Sequence, residues 1–132
     1  VWEVNVEYIV ESIELIKEAM PDSLEEFKLM GLAKDGIYKR LEFAIQALLE
    51  GLSELGRKRE IIALSYSDLI RSLEEKGILP KETAEKAEFL AQLREVLIYD
   101  YDLMNDEIAF RNMEEYIEYV RELLEFLRGV EG

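Results

Sequence analysis

The polar residues best placed for chemistry lie in one short segment, residues 93–101, at the end of a predicted helix. Arg94 is a permanent cation within an otherwise apolar helical row. Tyr99 could stack on a nucleobase or donate a hydrogen bond, as tyrosines in nucleic-acid sites do. Both residue types also have a purely structural interpretation. An arginine stem often packs while its head reaches water, and Tyr99 and Tyr101 would then lie at the rim of a bundle or dimer interface.

The residue types missing from the sequence restrict that chemistry further. The 132 residues include no histidine and no cysteine, which excludes disulfides and thiolate metal sites. The commonest general base and the commonest transition-metal ligand are therefore absent. Acid–base chemistry near neutral pH would need a tuned carboxylate, lysine or tyrosine. We predict no cofactor and no metal site.

The charge balance bears on the partners of the protein. The sequence has 30 acidic and 16 basic residues, and its net charge is −14. Nucleic-acid affinity comes largely from lysine and arginine, so an acidic surface disfavours RNA except in a local basic cleft. No apolar run is long enough to span a membrane, and the N-terminus lacks a signal-peptide pattern. These features predict a cytoplasmic protein without membrane contact.

Hydrophobic periodicity predicts an all-α fold, a mostly antiparallel bundle of four main helices with one or two short helices. We predict a single domain over residues 1–132, without strands. The first helix carries an apolar stripe made of Trp2, Val6, Ile9, Ile13, Ile16 and Met20. The predicted helices cover residues 2–20, a short segment after Ser23, and residues 36–55, 66–76, 80–100 and 106–128.

Capping residues mark the ends of these helices. Ser23 and Glu26 form a capping box, and Asp35 is expected to cap the helix that begins at Gly36. Gly56 is expected just past the end of that helix, in the left-handed conformation. The remaining ends are assigned to Ser65 or Ser67, Gly77, Pro80, Asn105 and Gly129.

The predicted helix over residues 80–100 is the one that positions Arg94. It has two apolar stripes, and a helix that is apolar on two sides is either central in the bundle or also faces a partner. One stripe comprises Leu90, Leu93 and Leu97. The other comprises Ala87, Ala91, Arg94, Ile98 and Tyr101.

The segment from Arg94 to Tyr101, Arg-Glu-Val-Leu-Ile-Tyr-Asp-Tyr, resembles the Arg-x4-His-x-Tyr signature of the HEPN superfamily, specifically its HepT-like toxin branch. The resemblance extends over most of the chain. Residues 74–79 resemble the helix end that precedes the motif helix in the family, and residues 106–108 open the C-terminal helix as they do there. Proteins of this branch are similar in length and are helical bundles throughout.

The resemblance implies a metal-independent endoribonuclease that acts as a homodimer, with two motifs facing each other across a cleft. Arginine would hold the scissile phosphate and offset the charge of the transition state. Histidine would move protons to and from the reacting oxygens. The usual partner in the family is a small MNT-type nucleotidyltransferase antitoxin. In some members this partner silences the toxin by attaching AMP to the motif tyrosine, which here would be Tyr101.

The motif departs from the family at two positions. Tyr99 stands where the family has histidine, and tyrosine, which titrates near pH 10, is a poor base at neutral pH. Glu95 follows Arg94 where asparagine is common, and its carboxylate would compete with phosphate for the guanidinium. Asp100 and Asp102 add negative potential nearby. We therefore predict a degenerate ribonuclease motif in a non-catalytic homodimer that binds an MNT-type nucleotidyltransferase.

The alternative function is an active endoribonuclease that uses Arg94, Tyr99 and Tyr101. Two further patterns have weaker functional interpretations. The basic cluster at residues 57–59 is interpreted as a solvated helix end, with phosphate binding as the alternative. Glutamate pairs such as Glu11 with Glu14 could suggest a carboxylate metal site. However, di-iron bundles need Glu-x-x-His motifs, so we interpret these glutamates, and the pair Glu114 and Glu118, as a solvated surface.

Overall fold

The computed structural model describes the backbone of residues 2–131 and the side chains of residues 5–130. These residues form an all-α bundle, as predicted, and no strand occurs among them. Its helices are α1 (Trp2–Ala19), α2 (Leu24–Lys28), α3 (Leu32–Lys58), α4 (Tyr66–Glu75), α5 (Lys81–Tyr99) and α6 (Asp106–Glu131), with a 3-10 helix at Tyr101–Leu103. The long helices α1, α3, α5 and α6 are the four main helices of the prediction, and α2 and α4 are the short ones.

Helix α3 lies at the centre of the bundle and packs against α1, α4, α5 and α6. Its buried face includes Leu48, Leu49 and Leu52, all fully buried. The predicted stripe of α1 is confirmed at Ile9, Ile13 and Ile16, which join the same core, whereas the side chain of Trp2 lies outside the described residues. The core therefore fixes α3 as the element against which the other long helices are placed.

Several predicted helix caps are present. The Ser23 hydroxyl accepts a hydrogen bond from the Glu26 amide at 3.2 Å, and Ser65 accepts one from the Asp68 amide at 3.0 Å. The Asn105 side chain accepts one from the Ile108 amide at 3.0 Å and begins α6. These side chains satisfy amides in the first turn that have no partner within the helix. Gly77 follows α4 with a φ of +74°, the left-handed conformation that suits a helix stop.

The predicted limits of α3 were wrong at both ends. The helix begins at Leu32, so Asp35 lies in its first turn and does not cap it. It ends at Lys58, so Gly56 is helical, and Glu60 takes the positive φ instead. Packing explains the glycine, because a Cβ at position 56 would lie only 2.7 Å from Cδ1 of Leu69. Gly56 thus lets α4 approach the end of α3 closely.

Two features of α5 and α6 complete the scaffold. The two-sided character of α5 is confirmed, because α5 packs against α3, α4 and α6. Helix α6 continues through Gly129 to Glu131, so the predicted stop at Gly129 was wrong. Ile108 was assigned to the inner stripe of α6, yet it is 53% exposed. In the described part of the chain, no helix is long and apolar enough to cross a membrane.

Candidate functional site

Two of the three predicted site residues, Arg94 and Tyr101, contact helix α3, which runs antiparallel to α5, and Tyr101 also lines a groove between these helices. Gln46 of α3 lies opposite Arg94, and Asp35 and Tyr38 lie opposite Tyr101. With a rise of 1.5 Å per residue, Arg94 and Tyr101 are separated by about 10 Å along the axis of α5. The cleft at the Tyr101 end has a volume of about 230 Å³ and is lined by Asp35, Tyr38, Lys39, Glu42, Leu97, Ile98 and Tyr101.

Arg94 lies about two helical turns before Tyr101, and its side chain is 15% exposed. Its Nε–H donates a hydrogen bond to Oε1 of Gln46. Nε2 of Gln46 in turn donates to the hydroxyl of Tyr66 at 3.2 Å, and the guanidinium lies 5.3 Å from the centre of the Tyr66 ring. Side chains from α3 and α4 thus hold the mostly buried cation against the bundle.

Glu95 contacts the same guanidinium, as the sequence suggested. Its Oε1 lies 3.5 Å from Nη1 of Arg94, and its side chain is 58% exposed. An ion pair of this length at the surface contributes little to stability because water screens it. Its consequence concerns binding, since a phosphate would have to compete with this carboxylate for the outer edge of Arg94.

Tyr101 begins the 3-10 helix that follows α5, and its ring packs edge-on against the ring of Tyr38, with centroids 5.6 Å apart. Its hydroxyl donates a hydrogen bond to Oδ1 of Asp35. Burial, this hydrogen bond and the negative charges of Asp35 and Asp106 raise the pKa of Tyr101 well above its ordinary value. Tyr101 is therefore a neutral phenol at physiological pH, held in place by a carboxylate.

A second tyrosine–carboxylate pair supports the first. The buried Tyr38 donates from its hydroxyl to Oδ1 of Asp106 at 2.7 Å, and Nζ of Lys34 lies 2.7 Å from Oδ2 of the same carboxylate. Burial and the hydrogen bond to Asp106 raise the pKa of Tyr38. Burial alone would raise the pKa of Asp106, but the hydrogen bonds from Lys34 and Tyr38 outweigh it and lower that pKa. These contacts join the first turns of α3 and α6.

Tyr99 lies apart from the groove. It is the last residue of α5 and is 71% exposed. Helical spacing places it on the side of α5 that carries Gln92 and Val96, which line a different, mostly apolar groove between α5 and α6. Because α5 stays a regular helix from Lys81 to Tyr99, Arg94 and Tyr99 of one chain point in different directions.

The weaker sequence patterns lie on the surface. Residues 57–59 are exposed at the C-terminal end of α3, and Arg57 lines a shallow cavity next to Tyr66. The glutamates that could suggest a metal site are all exposed: Glu11, Glu14, Glu114 and Glu118. Within the part of the chain that the structure describes, no three acidic side chains converge in a way that could hold a metal ion.

The residues that surround Arg94 and Tyr101 were not identified from the sequence. Gln46 was the available signal, because it is the one polar residue within the apolar run of residues 43–49. Tyr66 was assigned to the start of α4, without a link to Arg94. Asp35 was interpreted only as a helix cap. Each of these contacts depends on how α3, α4 and α5 pack, and spacing within a single helix does not reveal it.

These features define a helical bundle with an arginine and a tyrosine near the end of α5, on the side that faces α3. The family model for ribonuclease HepT-like proteins matches residues 9–127. The chain therefore belongs to the HepT-like family. No curated protein sequence matches it.

Solved structures with the same fold include toxins in complex with their antitoxins. The chain matches a mutant MntA–HpeT toxin–antitoxin with a TM-score of 0.86 at 16% identity, over 97% of this chain and 98% of that one. A tri-AMPylated Shewanella oneidensis HEPN toxin in complex with MNT antitoxin also gives 0.86 at 16% identity, over 97% and 96%. A Thermus thermophilus protein gives 0.66 at 22% identity, over 91% and 98%. At these identities the similarity is one of fold.

Proposed function

We propose that this chain is the HepT-like component of a toxin–antitoxin system, a homodimer that binds an MNT-type nucleotidyltransferase and does not itself cleave RNA. In this proposal Tyr101 is the residue that accepts AMP from the partner. A cytoplasmic location stays a prediction from the sequence.

The observation that carries the proposal is the division of the motif between two faces of α5. Arg94 and Tyr101 both form hydrogen bonds with side chains of α3, whereas Tyr99, at the histidine position, lies on another face and is 71% exposed. A residue that transfers protons must come within hydrogen-bond reach of the reacting oxygen. Tyr99 would reach a phosphate at Arg94 only from a second protomer, and a tyrosine there is a poor base at neutral pH.

Family membership and the related complexes support the proposal that the partner is an MNT-type nucleotidyltransferase. One related structure is a toxin–antitoxin, and another is a tri-AMPylated toxin bound to MNT antitoxin. Tyr101 suits the role of acceptor because it is 37% exposed and its hydroxyl lies at the edge of an open cleft. A nucleotide bound by a second protein could therefore approach the phenol oxygen from solvent.

The alternative is an active, metal-independent endoribonuclease that cleaves RNA at the dimer cleft. One observation favours it. The Arg94 guanidinium is held by Gln46 and Tyr66 in a mostly buried position, and a preorganised cation of this kind is suited to stabilising a phosphate in a transition state.

Incubation of this chain with Mg²⁺, ATP and an MNT-type nucleotidyltransferase tests the proposal. The peptide that contains Tyr101 should gain the mass of one or more AMP groups, and Tyr101→Phe should gain none. Tyr119→Phe is a matched control, because the Tyr119 hydroxyl also donates to a carboxylate, that of Glu115 at 2.6 Å. Light scattering should show a dimer that binds the nucleotidyltransferase. A monomer, or AMP on another residue, would contradict the proposal.

A further inference from the structure

The contact between Tyr101 and Asp35 joins two residues that are 66 positions apart in the sequence. Asp35 lies in the first turn of α3 and is exposed, and Tyr101 is 37% exposed. Both residues line the same open cleft. Another molecule can therefore approach the phenol oxygen of Tyr101 while the phenol proton is still hydrogen-bonded to the Asp35 carboxylate.

A phenol in this setting needs help to act as a nucleophile. Its surroundings favour the neutral form, because burial and the nearby carboxylates of Asp35 and Asp106 oppose loss of the proton. A neutral hydroxyl is a weak nucleophile unless an adjacent base removes its proton as the new bond forms. The base must lie within hydrogen-bond reach of that proton, and Oδ1 of Asp35 meets this requirement.

The geometry points to Asp35 as the proton acceptor that activates Tyr101 as a nucleophile toward a nucleoside triphosphate bound by the partner. In this step Oη of Tyr101 attacks the α-phosphorus, and the bond from the α-phosphorus to the β-bridging oxygen breaks. Pyrophosphate leaves, and the phenolic proton passes to the Asp35 carboxylate. The identity of the nucleotide donor rests on the proposed function, whereas the activation of Tyr101 is a property of this chain alone.

Neighbouring groups fix the geometry of the pair. The Tyr38 ring packs edge-on against Tyr101, and the Tyr38 hydroxyl is itself anchored on Asp106. Lys39 and Glu42 face the same cleft from α3 and form an ion pair with each other at 3.1 Å. The Tyr101 ring is thus prevented from turning away from Asp35, and such positioning contributes to rate before any chemistry occurs.

If Asp35 had a purely structural role, its loss should have the opposite effect on the reactivity of Tyr101. If the carboxylate only held the ring and raised the pKa of Tyr101, its loss would increase the phenolate fraction and speed attack on an electrophile. If Asp35 accepts the proton, its loss slows the attack even though the pKa of Tyr101 falls. Asp35→Asn separates the two roles, because asparagine keeps an oxygen that can accept the hydrogen bond but cannot take the proton.

The test uses N-acetylimidazole, which acetylates tyrosine hydroxyls, with peptide mass spectrometry to measure each site at neutral pH. We expect acetylation of Tyr101 to fall roughly 100-fold in Asp35→Asn, at the lower end of what general-base catalysis contributes. Spectrophotometric titration against Tyr101→Phe should show a lower Tyr101 pKa in the same variant. Equal or faster acetylation of Tyr101 in Asp35→Asn would overturn the proposal.

Two controls make the result specific. Tyr99, which is 71% exposed, serves as the internal reference within every sample. Glu115→Gln removes the carboxylate that accepts the Tyr119 hydrogen bond, and it should leave acetylation of Tyr101 unchanged. Asp35→Ala with added formate provides a second variant, and formate should restore part of the lost rate. Failure of formate to do so would contradict proton acceptance by a carboxylate.

The two proposals can fail separately. If the unmodified chain gains no AMP from the nucleotidyltransferase, the proposed function and the nucleotide donor are wrong, and slow acetylation of Asp35→Asn still shows that Asp35 activates Tyr101. If the chain gains AMP but Asp35→Asn gains it at the same rate, the proposed function stands and the role of Asp35 is overturned.

Discussion

Arg94 is held by side chains from two neighbouring helices, Gln46 of α3 and Tyr66 of α4. A mostly buried guanidinium has donors that need partners, and a donor left unsatisfied costs about 1–3 kcal/mol. Tyr101 is likewise held, by Asp35 and Tyr38. Tyr99 is 71% exposed. At the scale of residues, Arg94 and Tyr101 are built into the fold, whereas Tyr99 lies mostly in solvent.

Gln46→Ala tests how much the hydrogen bond between Gln46 and Arg94 contributes to the free energy of unfolding. We expect this variant to lower the free energy of unfolding by about 1–3 kcal/mol, because the Nε–H of Arg94 loses its acceptor. The loss should be smaller when Arg94 is replaced by methionine, since no donor is then left unsatisfied. Urea denaturation of the two single variants and the double variant measures the difference.

Gln92→Ala is the matched control for that experiment. Gln92 is exposed on α5 and makes a long side-chain contact of 3.5 Å with Glu88. Its removal should change the free energy of unfolding by no more than about 0.5 kcal/mol. Equal losses from Gln46→Ala with and without Arg94 would contradict the role assigned to this contact.

Part of the candidate site could be predicted from the sequence. Arg94 and Tyr101 were recognisable because a cation interrupts an apolar row and because the spacing matches a family motif. Asp35 was visible but misinterpreted, since aspartate before a helical pattern is a common helix cap. Its contact with Tyr101 arises only when α3 and α5 pack side by side. The same is true of the contact between Gln46 and Arg94.

At the scale of elements, hydrophobic periodicity was sufficient to predict the four long helices, since each must bury one face. The ends of α3 were not predictable in the same way. Glycine is typical of a helix stop, but Gly56 lies within α3, and its lack of a Cβ leaves room for Leu69 of α4. Asp35 is helical because α3 begins three residues earlier, at Leu32. Local preferences for a cap or a stop therefore did not locate the ends of α3.

Lys34 and Tyr38, near the start of α3, both bind Asp106 at the start of α6. The stability that this junction contributes should depend on pH. The folded state lowers the pKa of Asp106 below its ordinary value of 3.8. Its contribution to stability is therefore present above about pH 4 and is lost as the pH falls through the lowered pKa. We expect Asp106→Asn to be less stable than the unmodified protein by about 1–2 kcal/mol at pH 6 to 7.

Chemical denaturation between pH 2 and pH 7 checks this prediction. The difference between the unmodified protein and Asp106→Asn should shrink below about pH 4, as Asp106 gains its proton. Asp22→Asn, which changes an exposed carboxylate before α2, should show no such pattern. A difference that stays constant with pH would show that the charge of Asp106 does not stabilise the junction.

At the scale of the whole molecule, the net charge of −14 opposes the approach of RNA. The surroundings of Arg94 and Tyr101 do not offset this charge, because Glu95 contacts the Arg94 guanidinium and Asp35 binds Tyr101. A protein partner that brings its own nucleotide does not face the same repulsion along an extended phosphate backbone. The surface and the motif therefore both favour binding to a nucleotidyltransferase over cleavage of RNA.

The most direct test of this account is an RNA-cleavage assay of the purified protein beside its Tyr99→His variant, with Arg94→Ala added to each. Histidine would restore a group that titrates near neutral pH at the position where the family motif has it. We predict that the unmodified protein does not cleave RNA, that Tyr99→His does, and that Arg94→Ala abolishes this gain. Cleavage by the unmodified protein that depends on Arg94 would contradict the account and establish an active endoribonuclease.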